Sequence, residues 1–178
     1  GATHVAWRSK RTYYAARPAT LIPKLHARNA TFAHEWGTHA SDFMSYIGAG
    51  DHPEYISGSS VIYTGFVTAG DYWFAHNFPD KFSMAEGQRW SQNTGEVSLE
   101  FPVNSWDWSA GPAEKLTVKW PSLWAWVEDL PVSRMYAGVH FREAGNEGVK
   151  LGKKVGKRCF EVMKRLKEGD MTATYTWA

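Results

Sequence analysis

The sharpest periodicity in this chain lies near its end, where Leu151, Val155, Cys159, Val162 and Leu166 recur at spacings of four, four, three and four. That rhythm predicts an amphipathic helix over residues 147–167, with one apolar stripe and a lysine-rich outer face. Gly152 and Gly156 stand one turn apart on its surface and permit close packing of a second helix. Residues 57–77 are dense in apolar and small side chains (Val61, Ile62, Phe66, Val67, Trp73, Phe74) and predict a buried helix opened by Ser57. Residues 3–16 predict a further helix, with Val5, Trp7, Tyr13 and Tyr14 among basic residues, ending near Pro18.

Two stretches follow a different period. Residues 96–103 and 115–120 alternate polar and apolar side chains around a loop containing Gly, Pro and Ser, which predicts a β-hairpin. Residues 122–130 predict a short helix stopped by Pro131. Between residues 22 and 56, Pro23, Gly37, Gly48, Gly50 and Pro53 predict irregular chain, with a short helix near 40–47. The expected fold is therefore mainly α, a helical bundle with a small hairpin near 96–120.

Composition narrows the picture only in part. The 178 residues suffice for one domain, and ten tryptophans with 15% aromatic residues suit a packed core. A net charge of +2 gives no reason to expect nucleic acid as a partner. The single cysteine, Cys159, rules out an intrachain disulfide and leaves the compartment undetermined. No stretch approaches the roughly 20 apolar residues of a membrane span. The start at Gly1-Ala2-Thr3, without methionine or an apolar leader, predicts a processed, soluble chain with residues missing upstream.

Three separated segments carry chemistry. Lys10 and Arg17 are seven residues apart, two turns of a helix, and on a continuous helix they share one face. Ser57-Gly58-Ser59 opens the next helix, where free amides attract anions and glycine lets a ligand approach the backbone. Arg134 and His140 are six apart, with Gly138 between them to break the helix and turn the imidazole back. Guanidiniums match tetrahedral oxyanions with a planar fork, and an ammonium adds a point charge. Singly, each segment reads better as a solvated basic face, an ordinary capped helix start or a surface or core histidine.

Together, Lys10-x6-Arg17-Pro18, Ser57-Gly58-Ser59 and Ser133-Arg134-x5-His140 resemble the vanadium-dependent haloperoxidases and the related type 2 phosphatidic acid phosphatases. His52-Pro53-Glu54-Tyr55 and Tyr136-Ala137-Gly138-Val139-His140-Phe141-Arg142 resemble the soluble haloperoxidase-like branch, as does residues 148–152. The resemblance covers about residues 7–165. It implies an α-helical bundle that holds vanadate or phosphate. His140 would be the axial vanadium ligand or the phosphatase nucleophile. Arg17, Ser57, Gly58 and Arg134 would hold the oxygens, and Lys10 would polarise the bound group.

The chain departs from the family at Ser59, where the family has an acid–base histidine. Serine does not donate a proton near neutral pH, and losing a general acid costs roughly 10²–10⁴-fold in rate. The resemblance thus implies an oxyanion site with reduced or altered turnover, with His52 as a candidate replacement acid. An inactive structural subunit is the alternative, and a basic surface-binding module a third. Because the family's bundle has several helices before the Lys-x6-Arg-Pro segment, the chain is expected to be one domain or the C-terminal part of one. An upstream-derived chain, a separate chain or a second copy would complete it, and a small anionic molecule would be the substrate. His34-Glu35-Trp36-Gly37-Thr38-His39 has its histidines five apart, against the four of a metalloprotease helix, and is not expected to bind zinc.

Overall fold

A computed structural model of the chain describes residues 1–36, 40–103 and 112–173. Six helices and one hairpin occur among them: α1 (Ala2–Tyr13), α2 (Pro18–Arg28), α3 (Ala30–Trp36), α4 (Gly58–Asn77), β1 (Val97–Phe101), β2 (Leu116–Trp120), α5 (Leu123–Tyr136) and α6 (Arg142–Lys167). The chain is a mainly α helical bundle, as expected. The expected apolar helix is α4, N-capped by the Ser57 side chain.

The α4–α6 pair is the largest contact between elements. Its closeness comes from glycine. A Cβ at Gly148 would lie 2.6 Å from the Ser60 Cβ, and one at Gly152 would lie 2.7 Å from the Thr64 Cβ. One at Gly156 would lie 2.7 Å from the Thr68 Cβ. The seam thus repeats every fourth residue on both helices, which is the spacing that brings side chains onto one face. Val155 and Val162 are buried beside it, whereas Leu166 at the stripe's end is partly exposed. The outer face of α6 carries ion pairs, including Lys150–Glu147, Lys157–Glu161 and Lys164–Glu168.

Two small cores flank the seam. Ala6, Ile56 and Val61 pack with Ala2, Tyr55 and Leu151, joining α1 to α4 and α6. Val67, Trp124 and Val127 pack with Leu123, Trp126 and Leu130, joining α5 to α4. The hairpin pairs antiparallel, with Val97 opposite Trp120 and Phe101 opposite Leu116. Trp120 Nε1 donates to Asp129 of α5 at 3.1 Å.

Four expectations need correction. The segment from residue 22 is not irregular, because α2 and α3 run to Trp36. Pro18 occupies the first turn of α2, where its fixed φ suits a helix start, and Pro23 forfeits one internal bond within it. Conversely, no helix spans residues 43–47. Pro131 does not stop α5, which continues to Tyr136. Its ring seats on Gly145 of α6, where an added Cβ would lie 2.7 Å from the Pro131 Cβ. Finally, Arg17 is not on α1. Tyr14 leaves that helix in the left-handed conformation (φ 49°), and Arg17 is extended (φ −71°, ψ 154°) before Pro18, as a pre-proline residue prefers.

Candidate oxyanion cavity

One cavity of about 230 Å³ opens at the N-terminal end of α4. Lys10, Arg17, His52, Gly58, Ser59, Arg134 and His140 all line it. Of the residues expected from sequence, only Ser57 is absent from this lining. It is fully buried, and its Oγ accepts from Ser60 N at 3.4 Å and Ser60 Oγ at 3.1 Å.

Each lining group is held by a different part of the chain. Lys10, on α1, is 3% exposed, and its ammonium donates to the carbonyls of Pro53 (2.7 Å) and Glu54 (3.1 Å). Burial first, then the Arg17 charge, push its pKa down to about 8, against the opposing pull of Glu54. Arg17 donates from Nε to His52 O (3.2 Å) and from Nη1 to Val139 O (2.8 Å). Its remaining donors face two imidazoles: Nη2 lies 2.9 Å from His52 Nδ1, and Nη1 lies 3.3 Å from His140 Nε2.

The turn that delivers His140 follows from the sequence as expected. Gly138 is left-handed (φ 73°) and donates to Met135 O at 2.9 Å, while Val139 N donates to Arg134 O at 3.3 Å. This paired closure of a helix end by a left-handed glycine caps α5. It places Arg134 and His140 on the same cavity despite their six-residue spacing.

His140 is 5% exposed, and its Nδ1 lies 2.8 Å from Glu54 Oε1. Burial first, and then Arg17 and Lys10, lower its pKa although the Glu54 hydrogen bond opposes them. The ring is therefore neutral near pH 7, with the proton on Nδ1 toward the carboxylate and a lone pair on Nε2. Glu54 also accepts from Phe141 N at 3.0 Å and is itself 3% exposed. It is the positioning residue that sequence reasoning missed. The two residues are 86 apart in the chain, so no local spacing signals their contact.

Two observations test whether an oxyanion fits. Among the described residues, Arg134 Nε is buried without a hydrogen-bond partner. Such an orphaned charged donor is costly unless a ligand accepts from it. At Gly58 an added Cβ would meet nothing within 4 Å, so protein packing does not require the glycine there. A donor set of two guanidiniums and one ammonium, with no acidic side chain in the lining, suits a tetrahedral anion. Among the described residues, no group of three or more His, Cys, Asp or Glu is placed to hold a metal ion. The histidine-rich segment at 34–39 lies partly outside them.

A helical bundle with a cationic cavity at the start of its central helix defines the class of domain. The chain belongs to the family described as the VCPO second helical-bundle domain, whose model matches residues 1–169. Its fold is similar to that of a bacterial vanadium-dependent chloroperoxidase. In the holo-type structure the TM-score is 0.65 at 23% identity, covering 92% of this chain and 34% of that one. The apo-type structure gives 0.63 and 23%, covering 90% and 33%. A bacterial vanadium-dependent iodoperoxidase gives 0.54 and 22%, covering 92% and 30%. The chain thus spans about a third of the length of these proteins. No curated protein matches it. Among the described residues, no helix is long and apolar enough to cross a membrane.

Proposed function

We propose that the cavity binds a tetrahedral oxyanion, vanadate or phosphate, and that its turnover is reduced or altered because Ser59 occupies the acid–base position. The observation that carries this reading is the convergence of Lys10, Arg17, Arg134 and His140 from separate elements onto one cavity. Arg17, Arg134, Lys10 and the Gly58 amide are the oxygen-binding donors. The Ser57 hydroxyl joins them only if it turns from its partner Ser60. His140 Nε2 would hold vanadium, or would act as the nucleophile toward phosphorus. Vanadate, when bound, supplies the Lewis-acidic centre that activates peroxide toward halide. The chain's own part is to fix charge around the anion in advance, with Glu54 holding the His140 tautomer.

Calorimetric titration with vanadate and with phosphate tests the site, and bromide oxidation or aryl phosphate hydrolysis tests turnover. Binding of neither anion by the assembled protein overturns the reading.

A second reading, an inactive subunit that completes a larger bundle, is favoured by a specific surface. Ile62, Tyr63, Phe66 and Trp73 of α4 are exposed, with Phe66 at 67%. An upstream-derived chain, a separate chain or a second copy would cover them. Sedimentation of the isolated chain checks this: a stable monomer argues against an obligate partner.

A further inference from the structure

We propose that His52 is an oxyanion-binding residue of this cavity, a fixed Nε2–H donor to the anion, and that it does not replace the missing acid. The inference rests on the oxyanion reading above and concerns which groups touch the anion and which leaving groups the site tolerates.

The geometry of Arg17 decides the role. A guanidinium has no lone pair, so at 2.9 Å its Nη2 donates and His52 Nδ1 accepts. Pro53 O lies farther from the same nitrogen, at 3.3 Å, and offers only an acceptor. With Nδ1 committed as acceptor, the proton of the ring is on Nε2. The rest of the residue is equally constrained. Arg17 Nε donates to the His52 carbonyl, and the Trp7 ring lies against the imidazole with centroids 5.1 Å apart. Gly50 leaves room at the ring's outer edge, because a Cβ there would come 2.7 Å from Nε2. Both glycine and histidine line the cavity.

A ring locked this way does not act as a general acid. Protonating Nδ1 to form the imidazolium would remove the acceptor that Arg17 uses and set two cations together. The groups facing His52 act in the same direction. Burial lowers its pKa, as do Lys10 and Arg17, against the Pro53 carbonyl and Asp51. No other lining group replaces the acid. Arg17 and Arg134 keep their protons, His140 donates its Nδ1–H as a hydrogen bond to Glu54, and Lys10 uses two of its three N–H bonds on carbonyls and the third on an oxygen of the anion.

The substrate class follows. As His140 Nε2 attacks phosphorus, the P–N bond forms and the P–O bond to the leaving group breaks. The leaving oxygen departs with the electron pair as an anion and is protonated only by solvent. Such a step is confined to leaving groups of low pKa, such as acidic phenols or carboxylates. Water then attacks phosphorus, the P–N pair returns to Nε2, and the water's proton passes to solvent.

The test uses sulfate, a tetrahedral anion that does not titrate near neutral pH, with the full chain in its assembled form. His52→Phe keeps a ring against Trp7 and removes both nitrogens; His52→Asn keeps an acceptor for Arg17 but is too short to replace Nε2–H. Both should weaken sulfate binding on the order of 10-fold, the scale of one hydrogen bond to a charged group. In ¹⁵N-resolved spectra His52 should be the Nε2–H tautomer, and its Nε2–H resonance should shift when sulfate binds. Recovery of full affinity by His52→Asn, or an imidazolium in the bound state, overturns the assignment. If wild type and Arg134→Gln both fail to bind sulfate, the oxyanion reading itself falls. If Arg134→Gln alone loses sulfate and His52→Phe does not, only the His52 assignment falls.

Discussion

The two halves of α4 solve different problems. At its N-terminal end, polar groups from α1, the 48–54 segment, Arg17 and the α5–α6 corner converge, and Lys10 and Arg17 are held there mainly by backbone carbonyls. Farther along, α4 is held to α6 by shape: Thr64 and Thr68 sit against glycines, and their hydroxyls have no hydrogen-bond partner among the described residues. Beyond them the helix enters aromatic packing, with Phe74 stacked on Trp90 at 4.6 Å. One half specifies position by hydrogen bonds and the other by exclusion of atoms. Substitutions in the first should therefore alter binding and rate, and those in the second should alter stability.

The strongest test of that division is Ser59→His. It should raise hydrolysis of phenyl phosphate roughly 10²–10⁴-fold, the usual worth of a general acid, with little change in the denaturation midpoint. No gain in rate would mean that the cavity lacks more than its acid. Gly152→Val should do the reverse. Its side chain meets Thr64 Cβ at 2.7 Å and Val61 O at 2.8 Å, and overpacking of this kind costs about 3 kcal/mol. Urea unfolding measures it.

Glu54→Ala lies between the two. It strands a buried imidazole N–H and the Phe141 amide, an expected loss of about 2 kcal/mol, together with weaker sulfate binding. If stability falls while affinity holds, Glu54 is structural alone. The smallest effect is a pH dependence. Lys10 titrates near 8 when folded and at 10.5 when free, so the folded chain binds fewer protons than the unfolded chain between those values. Stability without anion should therefore rise with pH across that window. Sulfate affinity should fall there, because binding needs the ammonium. Lys10→Met should abolish both limbs, as read by calorimetry and unfolding at matched pH.

Much of the fold was legible because it depends on local periodicity. The α6 stripe, the buried α4 run and the alternating strands each declare themselves within a short stretch of chain. Pro131 misled because the cost of a proline inside a helix is offset by a partner, Gly145, on a different element. α2 was missed because its prolines read as breakers, although the first falls where a helix tolerates it. In the cavity, the cationic residues were legible as types. Their geometry was not: Lys10 and Arg17 converge because the chain leaves α1 at Tyr14, not because they share a helical face. The carbonyls that hold them, at Pro53, Glu54, His52 and Val139, are invisible in any side-chain pattern.

The glycine seam of α6 carries a consequence for how such a domain changes over time. Gly148, Gly152 and Gly156 set the distance between two helices without drawing on any residue that lines the cavity. The frame is thus indifferent to what is mounted at its corner. A change of side chain at Ser59 therefore leaves the seam untouched, so the chemistry mounted at the corner can vary independently of the scaffold.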